Sequence, residues 1–359
     1  MINRSRLLFA RKYRRYTIGT LAKKSTVSVR TISDYENGKD VDPRPENIAK
    51  LAKALEVPAE FFWLDDPETL MSEQVYFRAA SRMSALDRDQ NLCYGQMAME
   101  ITRWIDENFN LPAVEVPSYS SEMSQYNDPL IEALAEQLRQ GWGLGLSPIP
   151  NMLNLVESKG IMVFSLPEKK KNTDGFSFWR NDRPFILYNP YKTAERSRFD
   201  IAHELGHLVL HGDHDPSAIS SKDKEKEANL FASAFLMPKR AMIGAFPRNA
   251  TVGSLISHKK KWKVSLLALN YRLYQLNQIT EWTFRSNNIT VNKYGRANEP
   301  EPALPEQSQI FLKVFSALKR EGKTVVDIAK EFSMHPHDLS ALVFDMLIHT
   351  HATPLRIIR

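Results

Sequence analysis

Arg198-Phe199-Asp200-Ile201-Ala202-His203-Glu204-Leu205-Gly206-His207-Leu208-Val209-Leu210-His211 is the stretch on which the reading of this chain turns. Residues four apart lie on one face of a helix, so His203 and His207 point the same way and can grip one metal ion between their imidazoles. Glu204 then stands beside that ion. It is placed to hold a water that the metal has made acidic, take its proton and pass it to a leaving amine. Phe199, Ile201, Leu205, Leu208 and Val209 make this a helix that wants burial, and the histidines carry polar rings into that setting. Hydrogen-bonded core histidines are the bland alternative, and His-Glu-x-x-His alone does not separate the two.

The third ligand must come from elsewhere. Where a third histidine follows shortly after the second, a Gly and a His stand at the positions held here by Leu210 and Asp213, so that class is excluded. A second helix, Asp223 to Leu236, carries Glu225, Glu227 and Asn229. A carboxylate from such a helix completes a two-His, one-carboxylate site and leaves the fourth position to water. Glu225 and Glu227 lie about 200° apart on a helix, so one of them at most faces the metal. The apolar stripe Ala228, Phe231, Ala232 and Phe235 runs between them and leaves the choice open.

Arg196-x-Arg198-Phe199-x-x-Ala202-His203-Glu204-Leu205-Gly206-His207, then Glu227-Ala228-Asn229-x-Phe231-Ala232 and Leu236-Met237-Pro238, resemble the ImmA/IrrE family of metallopeptidases. The resemblance implies a zincin-like body with Zn2+ as its cofactor. It also implies the Glu before Ala-Asn, here Glu227, as the ligand that joins His203 and His207, with Glu204 catalytic. The implied substrate is protein, cut at a specific site in a partner transcriptional repressor.

Residues 4 to 64 read as a run of short helices. Thr17 is placed to cap a helix through Ile18, Leu21 and Ala22, and Ser28 to cap one through Val29, Ile32 and Tyr35 that ends at Asn37-Gly38. So tight a connection makes a helix-turn-helix, whose second helix presents its first residues to a major groove. Thr20 to Ser25 and Val29 to Lys39 resemble the Xre, or phage-repressor-like, family. That resemblance implies base contacts from Val29, Arg30, Thr31 and Asp34 and places Ser28, which opens the helix, and Asn37, at the DNA backbone, on the same DNA-binding face. It further implies an internal ion pair between Arg11 and Glu36. Arg30 suits a guanine edge, whereas Asp34 repels phosphate. Arg4, Arg6, Arg11, Lys12, Arg14 and Arg15 crowd the first helix and are expected to supply attraction to the DNA backbone.

With 359 residues and 43% hydrophobic content the chain can bury more than one core. A net charge of +6 fits a polyanionic partner. No apolar run approaches membrane-spanning length, and Leu7-Leu8-Phe9-Ala10 is too short for a signal-peptide core. The single Cys93 forms no internal disulfide and fits a reducing compartment, so a cytoplasmic location is expected. Between the two halves, Leu86 to Asn108 reads as a long helix, either an arm or a dimer seam. Strands are expected at Ile161 to Ser165, Gly175 to Trp179 and Phe185 to Tyr188, with Gly175-Phe176-Ser177-Phe178 the candidate edge for a substrate backbone. Lys259-Lys260-Lys261-Trp262 reads as structural. In the tail, Thr324 to Phe332 and Pro336 to Phe344 loosely imitate a helix-turn-helix, and His335, His337, His349 and His351 read as surface histidines.

The expected fold is therefore α+β, mainly α with a small antiparallel sheet: an all-α helix-turn-helix head, a zincin-like body and a helical C-terminal region. Its expected divisions are 1–66 for the head, 67–117 for a helical connector, 118–245 for the peptidase-like body and 246–359 for the C-terminal helices. The expected partners are a double-stranded DNA operator, read by a homodimer, and a protein, either a repressor to be cleaved or a toxin to be neutralised. A sensor-regulator without proteolysis is the remaining alternative. No membrane partner is expected.

Overall fold

A four-stranded sheet divides the apolar interior in two. The computed structural model describes residues 2–39, 43–77, 83–119, 126–167, 175–212, 220–295 and 298–347. The strands are β1 (Tyr76–Phe77), β2 (Met162–Ser165), β3 (Gly175–Arg180) and β4 (Arg183–Tyr188), in the order β1-β3-β4-β2. Side chains alternate across a strand. Met162, Phe164, Phe176, Phe178, Phe185 and Leu187 accordingly face one core, while Val163, Ile186 and Tyr188 face the other. Burial on both faces is why the strands read as nearly unbroken apolar runs.

The sheet corrects one expectation. β3 pairs antiparallel with β4 and with β1, but β2 pairs parallel with β4, Met162 opposite Phe185 through Ser165 opposite Tyr188. The sheet is mixed because the chain leaves β2 and returns through β3 before entering β4 in the direction of β2. β1 is a further departure: two residues of the connector, too short to show a period, join the sheet at its edge.

On the first face lie the head helices α1 (Arg4–Tyr13), α2 (Ile18–Ser25), α3 (Val29–Glu36) and α4 (Pro45–Leu55), and the long α5 (Ala85–Asn108). Thr17 and Ser28 cap α2 and α3 by accepting from the amides of Thr20 and Thr31, both at 3.1 Å. Arg11 holds Glu36 in two-pronged fashion, at 2.6 and 2.7 Å, which fastens α1 to the end of α3. α5 is a packing element between head and sheet: Tyr94 meets Tyr13 edge-on, and Gly95 lies against Phe178.

Five of the six basic residues at the start of the head form ion pairs within the fold, Arg11 with Glu36 as above. Arg6 pairs with Glu100 at 3.1 Å, Lys12 with Asp89 at 3.3 Å and Arg15 with Asp87 at 2.5 Å. Arg14 clasps Asp338 at 2.7 and 2.5 Å. These carboxylates come from α5 and from the far end of the chain, where no local charge count finds them.

On the second face stand α6 (Asp128–Gly141), α7 (Met152–Ser158), α8 (Ala194–Leu210), α9 (Ser221–Leu236), α10 (Lys239–Ala245), α11 (Val252–Trp262), α12 (Leu266–Gln275) and α13 (Glu281–Asn292). Lys259 is buried against Glu195, so the lysine run is anchored in the core at its first member. The chain then crosses back, and α14 (Gln309–Arg320), α15 (Val325–Glu331) and α16 (Pro336–Leu342) join the first core beside the head. Reciprocal caps fix that crossing. Glu306 accepts from the first amides of α7, Met152 and Leu153, both at 2.9 Å, while Glu157 of α7 accepts from Gln309 and Ile310 at the start of α14. Each carboxylate meets orphan amides and the positive end of a helix dipole. His349 and His351 lie outside the described residues. No helix among the described residues is long and apolar enough to cross a membrane.

Candidate metal centre

α8 and α9 pack so closely that a Cβ on Gly206 would lie 3.2 Å from the Cα and carbonyl oxygen of Ala228 and from the ring of Phe231. Glycine at 206 therefore sets the depth at which α9 approaches the histidines. Thr193 caps α8 by accepting from Arg196, and Ser220 caps α9 by accepting from Asp223, so both helices start at defined points.

His203 and His207 turn their Nε2 atoms toward each other at 3.1 Å, both rings buried. The carboxylate that joins them belongs to Glu225: its oxygens lie 3.2 Å from His207 Nε2 and 3.5 Å from His203 Nε2. Bonds of about 2.0–2.1 Å around a tetrahedral zinc put neighbouring ligand atoms about 3.3 Å apart, so the observed triangle has the right size for one such ion. Burial works to raise the Glu225 carboxyl, but the hydrogen bonds and charge of His203 and His207 outweigh it and hold the group well below the ordinary carboxylate range. A carboxylate that stays ionised between two imidazoles suits a cation.

Glu227, expected as the third ligand, is turned elsewhere. The half-turn between 225 and 227 carries it to His211, whose Nε2 lies 2.9 Å from Glu227 Oε2, and its other oxygen accepts from the amide of Tyr126 at 3.1 Å. Sequence reasoning passed over His211, although its signal was present: His203, His207 and His211 stand four residues apart in succession. Likewise Glu225 and Asn229 are four apart on α9 and both meet His203, Asn229 Oδ1 at 3.1 Å from His203 Nδ1.

The bonding pattern accommodates the set of tautomers that a metal requires. An ionised Glu227 accepts only, so His211 donates through Nε2 and accepts at Nδ1. His207, at 3.1 Å, then donates through its own Nδ1 when a cation takes the place of the Nε2 proton that faces Glu225 in the metal-free chain. Asn229 does the same for His203. Such outer partners fix the ring orientation of metal ligands and raise their basicity. Burial, with the neighbouring His207, pushes the His211 imidazole down to about 4 against the pull of Glu227, so it stays neutral in this relay.

Glu204 is buried on the sheet side of α8, and the Ser177 hydroxyl donates to its Oε2 at 2.8 Å. Ser177 reaches it because it alternates with Phe176 and Phe178 and so faces the body. The candidate DNA face lies apart from this centre. Val29 is 54% exposed, and the Arg30 side chain is 94% exposed with Asp34 3.9 Å away on the next turn. Thr31 shares its hydroxyl with Ser28 at 2.8 Å, and Asn37 closes α3 by donating to the Ser33 carbonyl at 2.8 Å.

Residues 156–274 match the family model described as the IrrE N-terminal-like domain, a metallopeptidase family, and residues 10–62 match the Helix-turn-helix model. In Bacillus subtilis (strain 168), an uncharacterized HTH-type transcriptional regulator, RghRB, and the HTH-type transcriptional repressor RghR are each 48% identical to this chain over 50 residues. That stretch is 14% of this chain and covers 36% and 37% of those two proteins, about a third of their length.

Proposed function

We propose that this chain, a helix-turn-helix domain joined to an IrrE N-terminal-like metallopeptidase domain, is a cytoplasmic transcriptional regulator whose body hydrolyses a peptide bond in a partner repressor. The observation that carries the reading is the triangle of buried His203 and His207 with partly exposed Glu225, and buried Glu204 next to His203 in the chain. A cation held only for structure has no need of the neighbouring base. Zn2+ suits the two imidazoles and one carboxylate, and when bound it would supply Lewis acidity toward a carbonyl and toward water. Glu204 is then the group that takes a proton from water at its carboxylate and returns it to the departing amine. Ser177 holds that carboxylate in place, and the chain Glu227-His211-His207 holds a ligand ring in the tautomer a metal requires.

In the head, the exposed first turn of α3 offers Arg30 to a base edge, and exposed Arg4, Lys23, Lys24 and Lys39 add positive charge beyond the basic residues paired within the fold. One such module binds modestly, so a homodimer on a two-fold operator is part of the proposal. The wild type and Glu204→Gln, compared side by side for repressor cleavage and operator binding, test it. Loss of cleavage by about 10²–10⁴-fold with operator binding kept is expected. Equal behaviour of the two proteins in both assays would favour a sensor, or a toxin-binding antitoxin, over a peptidase.

A further inference from the structure

An extended peptide is held by pairing with an exposed strand, and the strand that reaches the metal helix, through Ser177 and Glu204, is β3. The connector already lies there. Tyr76 is opposite Ser177 and Phe77 opposite Phe176, antiparallel, on the edge of β3 that faces away from β4. Ser177 is the residue that holds Glu204. The Tyr76 ring lies flat against the His207 imidazole, 5.5 Å between centroids and 3° from parallel, and its hydroxyl donates to the His211 carbonyl. The Lys224 ammonium stands 5.7 Å over the same ring. Upstream, Gln96 donates to the Glu68 carbonyl at 2.7 Å and Leu70 is buried, so the incoming chain is tied to α5.

We infer that Tyr76–Phe77 is an autoinhibitory strand, an internal occupant of the substrate edge that must leave before an extended, aromatic-bearing segment of a partner protein can pair with β3. The inference rests on the peptidase reading above. A tethered strand acts at an effective concentration on the order of millimolar, so a free peptide making only the same contacts competes poorly. A partner that adds contacts elsewhere displaces it. The strand is two residues long and is held through Tyr76, by its hydroxyl, its ring contacts with His207 and His211 and the Lys224 ammonium, so local opening displaces it without global unfolding. Such an arrangement confines hydrolysis to a docked partner and suppresses general digestion.

The test uses the full chain with zinc and a fluorescent peptide of sequence Glu-Gln-Val-Tyr-Phe-Arg, copied from residues 73–78. Binding is read by anisotropy in Glu204→Gln protein, where turnover is blocked, and cleavage of a quenched version is read with Glu204 intact. Tyr76→Phe removes the bond to His211 and should raise peptide affinity roughly two- to tenfold; Tyr76→Ala removes the stack as well and should raise it about tenfold or more. Cleavage should rise by the same factors. If Tyr76→Ala loses its cooperative thermal transition, Tyr76→Phe decides. Affinity equal to or below the parent's in the folded variants overturns the inference. Tighter binding with no cleavage by any variant upholds the occupied edge and sinks the peptidase reading instead.

Discussion

Glu225→Gln and Glu227→Gln should fail in opposite ways, although the two stand only two positions apart on one helix. Glu227 accepts from two buried donors, the His211 ring at 2.9 Å and the Tyr126 amide at 3.1 Å. A glutamine carbonyl serves one of them and turns an NH2 group on the other, a cost of about 1–3 kcal/mol in the metal-free chain. Its effect on zinc passes through His211 and His207, so affinity should fall by about 10–100-fold, as for other outer partners of metal ligands. Glu225 touches the two Nε2 atoms directly. A structural zinc site binds with roughly 10–16 kcal/mol, so one ligand in four is worth about 2.5–4 kcal/mol, or roughly 100–1000-fold in affinity. Removing its partly buried charge should leave the metal-free chain within about 1 kcal/mol of the parent, because the lost hydrogen bonds offset the relieved desolvation. Urea denaturation in chelator gives the first quantity and zinc competition with a chromophoric chelator the second. A larger loss of zinc affinity in Glu227→Gln than in Glu225→Gln would refute the assignment.

Gly206→Ala should add about 1 kcal/mol of helix propensity but incur about 1–3 kcal/mol of overpacking against Ala228 and Phe231, and zinc affinity should drop as Glu225 moves with α9. A more stable variant with unchanged affinity would show that the helices yield. Arg30→Ala should weaken specific operator binding by about 1–3 kcal/mol in a gel-shift titration, and an unchanged footprint would remove Arg30 from the DNA face. Burial, against hydrogen bonds from Ser308, Gln309 and Ile310, raises the Glu157 carboxyl from 4.5 to about 6. The folded chain thus holds this proton more tightly than the unfolded one. Its contribution, on the order of 2 kcal/mol, is complete below about pH 4.5 and lost as pH rises through about 6. Glu157→Gln should flatten that part of the stability curve, and an unaltered slope between those values would contradict the burial.

What could be read from the chain alone followed from short-range spacing. Thr17 and Ser28 announce their helices as caps, and Ile32 and Tyr35 show which face of α3 is buried. His203 and His207 declare a shared face through their spacing of four. The choice between Glu225 and Glu227 was not legible from the apolar stripe, because the two carboxylates flank it on either side. The resemblance pointed to Glu227, whereas the geometry selects Glu225, whose partnership with Asn229 repeats the spacing of the histidine pair. The ionic partners of α1 were out of reach for a different reason. Asp338 meets Arg14 only after the chain has crossed the body and returned. β1 carries too few residues for any period, so its place on the edge of β3 is a tertiary fact.

A zinc-edge anomalous difference map from crystals of the zinc-loaded chain tests the central claim most directly. One peak should stand about 2.0–2.2 Å from Nε2 of His203, Nε2 of His207 and a carboxylate oxygen of Glu225, with His211 and Glu227 outside bonding distance. A peak ligated by Glu227 or His211, or none between the two histidines, would contradict the account.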